Sequence, residues 1–263
     1  VNAQKMQDDV IRKTSLVFSD TFSQLTGSKV YLKNEFEQKT GSFKLRGAYH
    51  KIKTLSEEER KNGVVAASAG NHAQGVAYAS ALEKINCTIV MPTNASPAKV
   101  AATRGYGATV VLEGKNYDES WVKAQEIAKT TGATIIHAFD DTQIIAGQGV
   151  IGLEIIEQLP DVDEIYVPIG GGGLAAGILV AIKDKNPNVK VIGVESKSFP
   201  SMKNSLDSGK LETIDGGFTV ADGISVRTPG KQTFEIIKEN IDEIVLVDDD
   251  EIINAMFLLM ERS

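Results

Sequence analysis

Residues 40–47 read TGSFKLRG, and two other short runs give the lysine of this stretch, Lys44, a chemical role. Residues 68–72 read SAGNH and follow the apolar run 64–67, while residues 170–173 are four consecutive glycines that follow a second apolar run. A strand that leads through a glycine-rich turn into a helix directs several backbone N–H groups at one point, where the helix dipole favours negative charge. The sequence therefore predicts two anion sites, together with a lysine that can form a Schiff base with an aldehyde cofactor that carries a phosphate.

Short motifs follow one another along the chain in a specific order. They are SFK at 42–44, SAGNHAQG at 68–75, AGQG at 146–149, GGGG at 170–173 and ADG at 221–223. In order and spacing, this set resembles the fold-type II pyridoxal-phosphate enzymes, and within them the threonine/serine dehydratases. The resemblance extends from about Arg12 to the C-terminus, and it rests on the combination of motifs rather than on any single one.

The resemblance implies a role for each motif. Lys44 would hold pyridoxal 5'-phosphate, would be displaced by the substrate amine, and would then remove the Cα proton as a base. Substrate binding would fall to one loop, whose members are Ser68, Ala69, Gly70, Asn71 and His72. The cofactor would be bound by Phe43, Lys44, Asn71 at the ring O3′, Gly170, Gly171, Gly172, Gly173 and Gly223.

His72 fits two interpretations equally well. It is either a packed or helix-capping histidine or a group that acts in the reaction, so Lys44 is the one catalytic residue that we predict. The loop 68–72 taken alone is also compatible with an ordinary turn that carries a polar cap.

The glycine run also has a rival interpretation. A strand, a glycine-rich turn and a helix, followed by a strand that ends at Glu195, resemble a dinucleotide-binding fingerprint with its acidic ribose ligand. An NAD-binding protein would leave the motifs around Lys44 and Asn71 unexplained. A phosphate cup for pyridoxal phosphate accounts for all three motifs, so we favour it.

Two departures separate the chain from the serine racemases of the same family. Ala69 stands where racemases have a second serine, whose hydroxyl serves as the acid/base on the opposite face of the substrate. Racemases also use a divalent-metal site that begins with an acidic residue at the Glu195 position and continues with an Asp six residues later, where this chain has Ser201. One carboxylate is weak support for a hard-metal site, and a solvent-facing charge at a strand end is the plainer interpretation, so we predict no metal.

The composition of the chain limits the kinds of molecule that it is expected to bind. The formal net charge of −7 offers no basic surface for nucleic acid or an anionic membrane. The chain has neither an apolar run of the roughly 20 residues that a membrane span needs nor an apolar N-terminal segment typical of a secretory signal. The one cysteine, Cys87, lies in an apolar run and suits a reducing compartment. We expect a cytoplasmic protein whose partner is a small amino-acid substrate.

Strand-like and helix-like runs alternate along the chain, which predicts an α/β fold of two domains, each a mostly parallel sheet flanked by helices. The stretch 54–140 has enough elements for a small domain. The resemblance implies that it is inserted into a large domain formed by residues 1–53 and 141–263, with the cofactor in the cleft between them. In the resembled family the large domain continues past residue 263, so we expect its C-terminal part to be missing.

The resemblance implies a lyase, a pyridoxal-phosphate threonine dehydratase or ammonia-lyase, that converts L-threonine to a 2-oxo acid and ammonia. L-Serine is an alternative substrate, and the role would lie in isoleucine biosynthesis or threonine catabolism. A homo-oligomer, dimer or tetramer, is the family expectation. The competing hypotheses are a truncated, inactive module of the same fold, a serine racemase and an NAD-binding protein.

Overall fold

Secondary structure follows the alternation of β-branched runs and longer helical patterns. The computed structural model describes residues 2–7 and 9–262. The strands are β1 Leu16–Phe18, β2 Tyr31–Lys33, β3 Val64–Ala67, β4 Cys87–Met91, β5 Thr109–Leu112, β6 Thr134–Ile135, β7 Glu164–Pro168, β8 Lys190–Ser196 and β9 Glu243–Val247. The helices are α1 Asn2–Gln7, α2 Asp20–Thr26, α3 Lys44–Lys53, α4 Glu57–Asn62, α5 Asn71–Leu82, α6 Pro97–Gly105, α7 Tyr117–Thr131, α8 Thr142–Gln158, α9 Gly173–Lys185, α10 Ser201–Ser208, α11 Lys231–Asn240 and α12 Asp249–Arg262, with 3-10 turns at Glu35–Glu37 and Asp222–Ile224.

The chain forms two compact units. The first unit comprises Val1–Arg12 and Phe36–Gln148, and the second comprises Lys13–Glu35 and Gly149–Ser263. The fold class predicted from the sequence is confirmed, because each unit contains a parallel sheet with helices packed against it. Within the described part of the chain, no helix combines the length and the apolar character that crossing a bilayer requires.

The first unit is built on a parallel sheet with the strand order β5-β4-β3-β6. The central strand β3 is buried along its whole length, as expected for a parallel sheet covered on both faces. Val64 and Ala66 belong to a core cluster shared with α3 and α5, whereas Val65 and Ala67 pack with Ala124 of α7. The period-two alternation of the strand therefore places one helical layer on each face.

Glycines let α3 and α8 approach each other closely within the first unit. A Cβ on Gly147 would lie 2.7 Å from the Arg46 carbonyl oxygen and from the Gly47 Cα. Gln7 of α1 bridges the same contact, because its Nε2 donates to the carbonyl oxygens of Arg46 and Gly147, each at 3.0 Å. The AGQG motif thus serves helix packing at Gly147.

The second unit contains a parallel sheet of order β7-β8-β9 and a separate antiparallel pair, β1-β2. The β1-β2 pair is tied to α8 by Lys33, whose Nζ donates to Glu154 Oε2 at 2.6 Å and to Gln158 Oε1 at 2.8 Å. Helices α8 and α9 meet at Gly149, where a Cβ would lie 2.8 Å from the carbonyl oxygen of Gly177.

Two features differ from the sequence-based expectations. Strand β2 pairs antiparallel with β1. Strand β1 has three residues, which are too few to show a hydrophobic pattern in the sequence. Helix α3, which we assigned to the large domain (1–53), belongs to the same compact unit as residues 54–140 because it packs against α5 and shares its core.

The α3–α8 contact generates a stability prediction. Gly147→Ala should lower the free energy of unfolding by about 1–3 kcal/mol, because the new methyl group meets backbone atoms that cannot move aside. Gly105→Ala is the matched control, since no atom lies within 4 Å of its added Cβ, and this change should be neutral or stabilising by up to about 1 kcal/mol. Urea unfolding followed by circular dichroism measures both, and equal stability of the two variants would contradict the packing role of Gly147.

Candidate active site around Lys44

Lys44 is the first residue of α3 and its side chain is half-buried. Its Nζ donates a hydrogen bond of 3.0 Å to the carbonyl oxygen of Ala138 and lies 5.3 Å from the centroid of the Phe43 ring. The predicted catalytic lysine therefore meets the segment that follows β6, within the first unit.

The amine of Lys44 is less basic than that of an ordinary lysine. Burial removes water from the ammonium group and lowers the pKa of Lys44 to about 8. At neutral pH about a tenth of the molecules then carry the free amine, the form that attacks an aldehyde. The environment of Lys44 suits a Schiff-base lysine rather than a solvated surface charge.

His72 lies close to Lys44 and its side chain already has a structural partner. Its Nε2 donates to the carbonyl oxygen of Ile136 at 2.9 Å, and the residue is buried. Burial and the nearby charge of Lys44 lower the pKa of His72 to about 3, so the imidazole is neutral. Of the two interpretations left open by the sequence, the side chain adopts the packed one, and the predicted substrate contact of His72 concerns its backbone.

The loop after β3 ends at an uncapped helix. Gly70 is the N-cap of α5, and no described side chain caps the first N–H groups of this helix. The Ser68 hydroxyl accepts a hydrogen bond of 3.1 Å from the Gly70 N–H. The first N–H groups of a helix have no intrahelical acceptor, so those that begin at Asn71 are free to bind an anion. Asn71 itself is exposed and Ala69 is half-buried against the core of the first unit.

Two side-chain hydroxyl groups shortly before Lys44 in the sequence are buried without a hydrogen bond to any described residue. Thr40 Oγ1 and Ser42 Oγ are buried and have no hydrogen-bond partner among the residues that the structure describes. Buried polar groups are nearly always paired, so these two atoms are consistent with a polar ligand beside the lysine. Ser42 belongs to the SFK motif, but its place in the sequence does not by itself indicate a role.

The glycine run of the second unit forms the turn that the sequence predicted. Gly172 is the N-cap of α9 and has a left-handed φ of +93°; a Cβ there would lie 2.9 Å from atoms of Ile237, Met202 and Thr233. The Gly171 carbonyl accepts from Thr233 Oγ1 at 2.6 Å, which fixes the turn. The N–H groups that open α9 have no side-chain cap, so the cradle fits a phosphate.

The remaining predicted cofactor residues lie beside this turn. A Cβ on Gly170 would lie 3.0 Å from the Cα of Ile224 and 3.1 Å from Val226 Cγ2. Gly223 is exposed in the 3-10 turn that contains Ile224, with no atom within 4 Å of an added Cβ. Ile224, the residue directly after the ADG motif, thus packs against the first glycine of the run.

Glu195 differs from our expectation of a solvent-facing charge. Its carboxylate is fully buried and accepts the backbone N–H groups of Met202 at 2.9 Å and Lys203 at 2.8 Å, so it caps α10. Burial raises the pKa of Glu195 to about 7 despite these two bonds. Ser201 donates instead to the carbonyl oxygen of Val226, and none of the described residues forms a group of three His, Cys, Asp or Glu side chains able to hold a metal ion.

His137 is a site neighbour that the sequence analysis missed. It lies two residues after the end of β6, and its Nδ1 accepts backbone N–H bonds from Phe139 at 3.2 Å and Asp140 at 2.8 Å. Burial lowers the pKa of His137, although Asp140 and Asp141 oppose that effect. Its position at the carboxyl end of a parallel strand is the signal that would have identified it.

Residues 8–263 match the family of pyridoxal-phosphate dependent enzymes. The chain is 53% identical over 261 residues to an L-threonine ammonia-lyase of Thermotoga maritima, covering 99% of this chain but 65% of that relative's length. Its fold is similar to that of the processed form of threonine deaminase isoform 2 from Solanum lycopersicum, with a TM-score of 0.95 and 42% identity over 97% of this chain and 75% of that one. A serine racemase from Dictyostelium discoideum is also similar, with a TM-score of 0.93 and 41% identity over 99% of this chain and 84% of that one.

The geometry of Gly172 generates a ligand-binding prediction. Gly172→Ala should weaken the binding of pyridoxal phosphate by at least about tenfold, because a methyl group there either displaces the turn or forces a strained backbone. Absorbance titration measures this affinity.

Gly209→Ala is the control for backbone strain alone. Gly209 also has a left-handed φ, of +75°, but no atom within 4 Å of an added Cβ, so this variant should bind pyridoxal phosphate like the parent. Normal binding of pyridoxal phosphate by Gly172→Ala, with loss of NAD binding, would instead support the dinucleotide hypothesis.

Proposed function

Since the chain belongs to the pyridoxal-phosphate dependent enzyme family, we propose that it dehydrates and deaminates L-threonine, with L-serine as a second substrate, to a 2-oxo acid and ammonia. The observation that carries the proposal is the half-buried, hydrogen-bonded Lys44, whose pKa of about 8 suits both covalent attachment and proton transfer. The substrate class follows the similarity to L-threonine ammonia-lyases.

Pyridoxal phosphate, when bound, supplies an electron sink for the charge that remains when a proton leaves the substrate Cα. The amine of Lys44 would hold the cofactor and would be displaced by the substrate amine. Once free, the amine would accept the Cα proton, a role in which positioned side chains contribute about 10²–10⁴ in rate. The Ala138 carbonyl accepts a hydrogen bond from the Nζ of Lys44 and so holds the free amine in place.

In the first unit, the loop before α5 would bind the substrate carboxylate. The backbone N–H groups at the start of α5 supply uncompensated positive charge, and the Ser68 hydroxyl lies at their edge. Asn71 is exposed and able to donate to the O3′ of the cofactor ring. Because the imidazole of His72 is neutral, it places no charge beside Lys44.

In the second unit, the run Gly170, Gly171, Gly172 and Gly173 would bind the cofactor phosphate, and Gly223 would be a further cofactor contact. The negative charge of the phosphate is favoured by the N-terminus of α9, a 13-residue helix without a side-chain cap. A side chain at Gly172 would collide with Ile237, Met202 and Thr233, and the φ of +93° is itself strained for other residues, which explains why this position of the turn is glycine.

The cellular location, the oligomeric state and the domain division of the enzyme are also part of the proposal. A cytoplasmic homo-oligomer, dimer or tetramer, is consistent with the one free, buried cysteine and with similarity to metabolic lyases. The predicted small domain, residues 54–140, is retained as a proposal, with α3 as a further packing element of that unit.

Serine racemase activity is the second candidate, because the fold is similar to that of the Dictyostelium discoideum racemase. Racemisation needs an acid/base on the face of the substrate opposite Lys44, and Ala69 offers a methyl group where the racemases have a serine. Elimination therefore remains the favoured reaction.

Replacing the lysine tests the proposal. Lys44→Ala should reduce the formation of 2-oxo acid from L-threonine by at least about 10²–10⁴, because both the attachment point and the base are lost. Lys61→Ala, at an exposed position of α4, should retain the parental rate. Activity of Lys44→Ala within tenfold of the parent would contradict the assignment, and a parent chain that never binds pyridoxal phosphate covalently would support the inactive-module hypothesis.

Ala69→Ser tests the choice between elimination and racemisation. The added hydroxyl has small volume and should raise the ratio of D-serine formation to elimination, whereas the parent should form little D-serine. Chiral chromatography of the serine that remains after partial turnover gives this ratio. Substantial D-serine from the parent chain would show that another acid serves the opposite face.

A further inference from the structure

The segment between β6 and α8 forms a turn organised by one imidazole. His137 Nδ1 accepts the backbone N–H groups of Phe139 and Asp140, at 3.2 and 2.8 Å, so the ring closes the turn over Ala138. Both donors are amides, so Nδ1 must present its lone pair and the ring proton resides on Nε2. A protonated Nδ1 would leave both N–H groups without this acceptor.

The carbonyl group enclosed by this turn is the one that receives Lys44. The Ala138 oxygen lies 3.0 Å from Lys44 Nζ, and Ala138 lies between His137 and the two residues whose N–H groups it accepts. The Ala138 carbonyl and the Phe139 N–H belong to one peptide group, and the Asp140 N–H belongs to the next. Through these two peptide groups, the orientation of the carbonyl is coupled to the Nδ1 lone pair.

Aromatic packing holds the imidazole in place. Its centroid lies 5.2 Å from the Trp121 ring and 4.7 Å from the Phe139 ring, and both contacts are edge-to-face. The charged groups that act on His137 are Asp140 and Asp141, which favour its protonated form, and Lys44, which opposes it. Burial of the ring is the largest effect and keeps it neutral, which preserves the acceptor.

We propose that His137 is a positioning residue for Lys44, and that the lone pair of its Nδ1 fixes the 138–140 turn so that the Ala138 carbonyl holds the lysine amine in its buried position. This inference deepens the proposed function, because it rests on the role assigned there to Lys44. No chemistry is assigned to the imidazole itself.

A matched pair of variants distinguishes the effect of the Nδ1 lone pair from the effect of ring packing. His137→Asn keeps an acceptor oxygen at the position of Nδ1, in the geometry of an Asx turn, but loses the ring. His137→Phe keeps a ring to pack against Trp121 and Phe139 but loses the acceptor. A purely structural role of the ring predicts that the Phe variant resembles the parent, whereas a positioning role of the lone pair predicts that the Asn variant does.

The readout is the pH dependence of acetylation at Lys44 in the protein without added cofactor. Acetic anhydride reacts with the free amine, so the midpoint of rate against pH, followed by peptide mass spectrometry, reports the basicity of that one lysine. The parent and His137→Asn should share a midpoint. In His137→Phe the amine should leave its buried position and become hydrated. The midpoint should therefore rise by at least about one pH unit, which corresponds to about tenfold less free amine at neutral pH. Lys61, exposed on α4, is the internal reference and should react identically in all three proteins.

Any other pattern of midpoints overturns the proposal, including a shift in both variants or in neither. The experiment needs no catalysis, so a parent that lacks lyase activity would refute the proposed function without deciding the role of His137. Should either variant fail to fold, nitrogen-15 NMR of the unmodified protein decides. We expect His137 protonated at Nε2 and His50, whose Nδ1 donates to the Gln143 carbonyl, protonated at Nδ1. A proton on Nδ1 of His137 at neutral pH would overturn the inference.

Discussion

Close backbone contacts at glycines bury the first turn of α3, and the properties of Lys44 depend on that burial. A Cβ on Gly75 of α5 would lie 3.1 Å from the Leu45 nitrogen and 3.2 Å from the carbonyl carbon of Lys44. A Cβ on Gly147 of α8 would lie closer still, 2.7 Å from the Arg46 carbonyl oxygen. Helices can meet at these distances only where side chains are absent, and the resulting loss of water lowers the pKa of the lysine.

Parallel sheets explain why the polar groups of each unit gather at one edge. In the first unit β3 and β6 are neighbours, so the loop 68–70 and the turn that begins at His137 both leave the carboxyl ends of adjacent strands. In the second unit the same holds for β7 and β8, which lead to the glycine run and to the buried Glu195. Such strand ends are the general location of ligand sites in α/β folds.

Much of this arrangement could be predicted from the sequence, because strong local patterns coincide with buried elements. The apolar run 64–67 forms β3, and the runs around Lys44, Ser68 and Gly170 all open helices. The AGQG motif was recognisable but not its packing role, and the bond between Lys44 and Ala138 joins residues 94 positions apart. Contacts of that range depend on how helices meet, which periodicity does not encode. Glu195 was misjudged for the same reason, since its burial depends on α10 folding over the strand end.

The proposed roles of the residues around Lys44 all depend on its amine being the point at which pyridoxal phosphate becomes attached. The most direct test is to incubate the unmodified chain with pyridoxal phosphate, reduce it with borohydride, and locate the phosphopyridoxyl group by peptide mass spectrometry. The structure predicts a single modified lysine, Lys44, at cofactor concentrations too low to label exposed lysines. Label on exposed lysines alone, or none on Lys44 at saturation, would contradict the account.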